Sequence, residues 1–180
     1  MPTCPFFELE GIVMGRKRFL TKDDWVKAAM EFLRTQGIGG VRVLSLAQSL
    51  DVTRGSFYWH FRDRRDLLNH MLDWWDREMT DAVIRHIDGL KGAGRQRILG
   101  LAEFILRKDL IRYEAAVRSW ADGDRNAATV FGGVMRKRLG YVAGLFRDAG
   151  FAPGEAAARG HLLVFYLMGE DAVRAGTSIQ

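Results

Sequence analysis

The sequence predicts an all-α fold, and three observations carry that expectation. Proline is scarce, three in 180 residues, and none falls between Leu20 and Ala149. Apolar residues recur at i, i+3, i+4 and i+7 in successive segments, the pattern of helices that bury one stripe. Hydroxyl and carboxylate residues stand where those stripes begin, and Gly or a short polar turn stands where they end. Apolar residues make up 48% of the chain and charged residues 27%, enough apolar material for a packed core and against general disorder.

The elements follow in order. Thr21 with Asp24 three residues on reads as a capping pair, and Asp23 and Asp24 suit the positive end of a helix. Trp25, Ala28, Ala29, Phe32 and Leu33 then form one stripe. Gly37 ends the helix, and Ile38 folds back as the apolar contact of its C-terminal cap. A short second helix is expected over Ser45–Leu50, with Leu46, Ala47 and Leu50 on one side. Asp51-Val52 leaves a minimal turn, and Thr53 caps a third helix. Two short helices so closely joined must cross steeply, the geometry of a helix-turn-helix, whose second helix enters the DNA major groove.

That geometry accounts for the crowded stretch "TRGSFYWHF", residues 53–61. Phe57 faces inward onto Leu46 and Leu50. Tyr58 and His60 lie on the other side, where a hydroxyl and a ring N–H reach phosphate oxygens, and Trp59 sits between the faces. Arg54 and Ser56 occupy the first turn, the end that contacts base edges. Gly55 has no side chain to hold the backbone off a duplex. Asp63 caps the following helix, and Arg64 in its first turn is placed to hold a phosphate. Upstream, Arg16, Lys17 and Arg18 form an arm suited to a DNA backbone or minor groove. Charge agrees: residues 14–66 hold eleven Lys and Arg against six Asp and Glu, so the basic excess of a chain with net charge +5 concentrates there.

Residues 45–68, "SLAQSLDVTRGSFYWHFRDRRDLL", resemble the DNA-binding signature of tetracycline-repressor-type (TetR) regulators. The matching features are Ala47, Val52, the Tyr-Trp-His-Phe run at 58–61 and the Leu67-Leu68 pair. The resemblance runs from about Leu20 to Leu72. It implies a three-helix DNA-binding head and a larger C-terminal part for dimerisation and ligand sensing. It also implies base reading by Arg54 and Ser56 and phosphate contacts by Tyr58, His60 and Arg64. Two positions depart from the family pattern. Asp51 stands in place of the turn glycine, and Arg42 in place of a hydroxyl residue that often opens the second helix, which leaves the start of that helix open by about one turn.

The C-terminal two-thirds reads as a helical bundle. The helix opened by Asp63 continues through Leu67, Leu68, Met71, Leu72, Trp75 and Met79 toward Ile84 or Ile87, joining head to body. "GLKGAG", residues 89–94, is a linker. Stripes follow at Ile98, Leu101, Ala102 and Ile105, and at Tyr113, Ala116, Val117 and Trp120; Asp124 caps the next helix, and Pro153 and Glu155 open the last. Residues 162–168 are apolar almost all round, more than one side of a small domain can bury. A homodimer through the last two helices of each chain is therefore expected. Trp75, Met79, Phe104, Trp120, Phe131 and Met135 are the candidate walls of a ligand cavity, and the effector expected there is apolar or aromatic.

The chain thus divides into an arm (1–19), a helix-turn-helix domain (20–66) and a dimerisation and ligand-sensing domain (67–180). The expected partner is a double-stranded, palindromic DNA operator. The expected behaviour is repression, relieved when a small-molecule effector enters the body; the alternative is a constitutive or architectural DNA binder with a filled core. The four histidines lack metal-ligand spacing, Glu103 and Asp109 sit on opposite faces of a helix, and no phosphate loop, nucleophile elbow or triad spacing occurs. No enzymatic activity, catalytic residue, cofactor or metal is expected. The single Cys4 excludes an internal disulfide. Glu8 and Glu10 break up the N-terminal apolar stretch, so it is not a signal peptide, and no segment approaches a membrane span. The expected location is cytoplasmic.

Overall fold

A computed structural model describes residues 20–177, with side chains through Gly169. The described residues are helical, and their elements are α1 (Lys22–Gln36), α2 (Val43–Ser49), α3 (Arg54–Phe57), α4 (Arg64–Asp76), a π-helical turn (Arg77–Asp81), α5 (Ala82–Asp88), α6 (Gly94–Lys108), α7 (Glu114–Gly123), α8 (Arg125–Asp148) and α9 (Pro153–Thr177). The all-α reading holds. The basic arm Arg16, Lys17 and Arg18, with the rest of residues 1–19, lies outside the described residues.

Helix ends form where short polar side chains meet orphan backbone groups. Thr21 and Asp24 make the reciprocal capping box that opens α1, satisfying two donors that otherwise lack partners. Asp63 accepts from the Asp66 amide and Asp124 from the Asn126 and Ala127 amides. The turn between α2 and α3 depends on Asp51, whose φ is 53°. There Val52 N–H donates to Ala47 O at 3.0 Å and Asp51 N–H to Gln48 O at 3.2 Å, the paired bonds of a Schellman cap with Asp51 in the left-handed position. Aspartate adopts this conformation at less cost than most residues, so the turn forms without glycine. Asp109 does the same after α6, with φ 50°.

Two local expectations are revised. The second helix begins at Val43 rather than Ser45, and its N-cap Arg42 makes no side-chain cap. Instead the Arg42 guanidinium donates to Gly39 O at 2.9 Å, and the Arg42 carbonyl already accepts from Leu46 N–H. Thr53 occupies the N-cap position of α3 without capping through its hydroxyl.

Trp25, Val26, Ala29, Met30 and Leu33 of α1, Leu46 and Ala47 of α2, Phe57 of α3 and Leu67, Met71, Leu72 and Trp75 of α4 share one buried cluster. The same cluster takes in Tyr113, Val117 and Trp120 of α7 and Ala127 and Val134 of α8. The boundary expected at residue 66 falls inside α4, and apolar packing runs across it. A second cluster, Val83, Ile87, Leu101, Val142, Leu145 and Val164, fills the far end of the bundle.

The helix from Asp63 was expected to continue toward Ile84 or Ile87. It does continue, but through the π turn at Arg77–Asp81. Such turns are rare and leave backbone groups that need partners from outside the helix. Here α8 supplies one: Arg138 Nη2 donates to the Met79 carbonyl at 3.3 Å, while its Nε donates to the Thr80 hydroxyl at 2.9 Å. On the outer side Lys137 Nζ bridges Asp76 at 2.7 Å and Asp81 at 2.9 Å.

Replacing Asp51 with Gly removes the remaining left-handed cost and is expected to stabilise the protein by roughly 0.5–1 kcal/mol, whereas Asp51→Val lowers stability by about 1–2 kcal/mol. Urea denaturation followed by circular dichroism reads both changes, and an equal midpoint for the two variants would contradict the left-handed assignment.

Candidate nucleic-acid interface and internal cavity

The head presents α3 and the turn after it as an exposed, basic and aromatic surface. Phe57 is fully buried, edge-on to Trp25 at 5.5 Å and stacked on Phe61 at 5.1 Å. With that side anchored, its neighbours must face out. Tyr58 is 51% exposed and Trp59 89% exposed, while His60 and Ser56 are half-buried and Gly55 is exposed. Arg54 lies exposed over the Tyr58 ring at 5.9 Å and donates to its hydroxyl at 3.2 Å. A side chain added at Gly55 would meet only Thr53 Oγ1, at 3.7 Å, so space alone does not demand glycine there.

Arg64 departs from its expected role. Its Nε donates to Val41 O at 2.6 Å and its Nη2 to Ile38 O at 2.8 Å. The guanidinium thus ties the start of α4 to the loop between α1 and α2. Sequence reading missed this because both acceptors are backbone carbonyls more than twenty residues upstream. It also passed over Arg62, whose side chain is 87% exposed, the exposed Arg65, and Leu44 on α2, 59% exposed. The run "RDRR" at 62–65 carried the signal for the two arginines.

In the body, a cavity of about 60 Å³ lies among the π turn and α5 to α9. Of the six expected walls, Met79 alone lines it. Trp75 instead stacks on Phe131 at 5.8 Å, and both pack with Trp120 and Met135 in the cluster shared with the head. Phe104 stacks on His86 at 4.0 Å. The walls are chiefly aliphatic, with Thr80, Tyr141 and the Glu114–Arg138 ion pair as polar members. That pair is 2.7 Å long and almost wholly enclosed, and it joins residues 24 apart on separate helices, beyond the reach of periodicity.

The segment before α7 belongs to both regions. Ile111 and Glu114 line the cavity, while the residues between them hold the head. Tyr113 is buried, edge-on to Trp74 at 5.9 Å, and its hydroxyl donates to the Glu31 carboxylate of α1. Arg112 Nη2 lies 3.7 Å from the same carboxylate. Burial, reinforced by the bond to Glu31, pushes the Tyr113 phenol well above its ordinary range. Burial alone would raise the Glu31 carboxyl, but donation from Tyr113 and Arg34 outweighs it and the group titrates below its usual value.

Residues 26–71, which contain this helix-turn-helix, match the family of bacterial regulatory proteins, tetR family. That segment, 46 of the 180 residues, is similar to the corresponding part of the family. Among curated proteins, it is 32% identical to the class D tetracycline repressor of Escherichia coli over 97 residues, 52% of this chain and 41% of that protein. It is 28% identical to the class A repressor from transposon 1721 of Escherichia coli over 133 residues, 73% of this chain and 56% of that one. The chain spans about half the length of the curated relatives it matches. Two solved structures share the fold at 16% identity. A transcriptional regulator from Rhodococcus sp. Rha1 has a TM-score of 0.69 over 88% of this chain and 86% of its own. A protein from Saccharomonospora viridis, crystallised with choline, has a TM-score of 0.70 over 84% and 83%.

Arg64→Ala is expected to lower stability by about 1.5–3 kcal/mol, the range for hydrogen bonds donated by a charged group. Arg64→Lys should recover little, since an ammonium lacks the planar fork that reaches two carbonyls. The two midpoints in urea check this, and a variant as stable as the parent would show these contacts contribute nothing.

Proposed function

We propose that the protein is a DNA-binding transcriptional regulator that acts as a homodimer and is released from a palindromic operator by a small molecule. The observation that carries this reading is the outward surface of α3 within a head similar to that of TetR-family regulators, where Arg54, Tyr58 and Trp59 are exposed around a buried Phe57. Arg54 and Ser56 read base edges; Tyr58, Trp59 and His60 contact backbone and sugar; Gly55 lets the chain lie close. Residues 67–180 form the dimerisation and sensing part, and Arg16, Lys17 and Arg18 reach the backbone or minor groove. The exposed cations Arg62 and Arg65 add charge for phosphates. A single short helix offers too few contacts for tight specific binding, so two heads on a two-fold axis are required.

The dimer reading rests on α9. Leu162 is 71% exposed, Phe165 58% and Tyr166 60%, and they lie at i, i+3 and i+4, on one face. Their neighbours Val164 and Leu167 are buried against the rest of the bundle. One helix thus carries two apolar faces, of which its own chain covers one. The release reading rests on the shared position of residues 111–114, between cavity wall and head. A ligand that favours a different placement of that segment shifts the population of DNA-competent heads, in proportion to its differential affinity for the two states.

Two measurements test the reading. Selection of bound duplexes from random DNA returns the half-site and its spacing, and Arg54→Ala is expected to relax preference at one base pair by roughly 1–3 kcal/mol. An unchanged site and affinity would remove Arg54 from base readout, and failure to select any sequence would refute the regulator. Replacing both Leu162 and Phe165 with Glu is expected to turn the dimer monomeric in sedimentation equilibrium and to weaken operator binding; a dimer that persists places the interface elsewhere.

A further inference from the structure

We infer that the cavity takes a neutral, unbranched aliphatic molecule bearing at most one uncharged polar head. The inference rests on the cavity being an effector site, and it concerns which chemistry that site admits. The charges at the wall decide first. Arg138 uses Nε on Thr80, Nη1 on Glu114 and Nη2 on the Met79 carbonyl, with its guanidinium 5.0 Å over the Trp75 ring. A ligand carboxylate must displace Glu114 from that arginine while facing Glu114 itself. A ligand cation drawn to Glu114 faces Arg138 in turn. Either exchange breaks an enclosed ion pair, which is strongly unfavourable because it leaves one charge uncompensated. The Tyr141 hydroxyl is likewise committed, donating to Asp88 at 2.8 Å. An uncharged ligand leaves all of these bonds in place.

Shape decides between ring and chain. An apolar cavity of roughly 150 Å³ is known to hold benzene, whereas this one measures about 60 Å³. Neither a ring nor a chain of six carbons enters unless the walls part, but a flexible chain only one methylene wide parts them less at any one point than a rigid planar ring. The surroundings agree. Val83, Leu101, Ile105, Val164 and Met168 offer branched and flexible aliphatic contacts, and the large aromatic side chains nearby are stacked on one another or on His86. Met79 and Met168, at two places on the wall, adapt to chains of different length.

The test is calorimetric titration of the full-length protein with 1-hexanol, 1-octanol and 1-decanol, against octanoate, octylamine and benzyl alcohol. Each added methylene is expected to tighten binding about four-fold, the ratio set by burying one CH₂, until the chain outgrows the site. Octanoate and octylammonium are expected to bind at least ten-fold more weakly than 1-octanol, and benzyl alcohol more weakly than 1-hexanol. Val164→Phe, which fills the cavity, should abolish binding; Ile105→Phe is the second filled variant should the first fail to fold. Charged or aromatic probes that bind as well as the alcohols, alcohols that do not bind the folded parent, or binding that survives in a folded filled variant would each overturn the inference. DNA selection on the same preparation keeps the two readings apart. A protein that selects an operator yet ignores the alcohols remains a regulator with a different ligand, and one that binds the alcohols but no DNA keeps the cavity assignment and loses the regulator.

Discussion

The arrangement of the body turns on Arg138. A guanidinium this enclosed is stable only if its donors are met, because transfer of an unpaired charge out of water is far more costly than any packing gained. Three residues from two helical elements meet its donors: Thr80 and Met79 from the π turn, and Glu114 from α7. The dependence is mutual. The π turn needs outside donors for its backbone, and Glu114 needs a cation to remain buried. Lys137, next along α8, pins the two ends of the π turn from the solvent side through Asp76 and Asp81. Desolvation lowers the pKa of that ammonium, yet its bonds to the two carboxylates prevail and hold it above the usual lysine value. Two consecutive residues of α8 therefore set the course of the helix that leaves the head, one from within and one from outside.

That helix and the segment before α7 give the cavity two mechanical connections to the helices that carry the outward surface of α3. Along the first, Met79 and Thr80 form part of the cavity wall, and α4 runs from there to Arg64, which holds the loop between α1 and α2. Along the second, Ile111 and Glu114 touch the cavity while Arg112 and Tyr113 hold Glu31 of α1. Close-packed interiors shift as bodies rather than deforming smoothly. Under the proposed function, a chain that forces the walls apart moves both connections, and both end on the helices that support α3. Their separate origin matters: one acts through helix direction and the other through side-chain bonds to α1.

Much of this was legible in the sequence, because local rules govern local features. The capping residues Thr21, Asp63 and Asp124, the stop at Gly37 and the tolerance of a left-handed backbone at Asp51 each depend on neighbours within a few positions. The division of "TRGSFYWHF" into a buried Phe57 and an outward Tyr58 follows from helical spacing, whereas Trp59, expected between the two faces, is 89% exposed because α3 ends at Phe57. What escaped was set by long-range partners. Periodicity shows that Trp75, Trp120, Phe131 and Met135 face inward, but not which of two interiors they face; they fill the cluster shared with the head. The π turn adds a residue without disturbing the apolar pattern enough to be noticed. Arg64, Arg138 and Tyr113 each carry a polar group to a partner more than twenty residues away, and no spacing rule reaches that far.

The exposed face of α9 also shows how far burial alone can carry assembly. Fully burying a large apolar side chain contributes about 1.5–3 kcal/mol. Leu162, Phe165 and Tyr166 have already lost part of their water to the monomer, so three of them yield only about 3–5 kcal/mol per chain. Association itself costs roughly 4–15 kcal/mol. Facing a different protein, this patch would be marginal. A two-fold axis changes the arithmetic, because an isologous interface presents the same patch from both chains and counts every contribution twice. The gain then reaches about 6–10 kcal/mol, within the range of the cost but not safely above it. Self-association through α9 therefore needs α8, against which α9 packs, to contribute area of its own. Under the proposed homodimer, that is four helices around one axis, which would place the two heads on a common side by symmetry rather than by any contact between them.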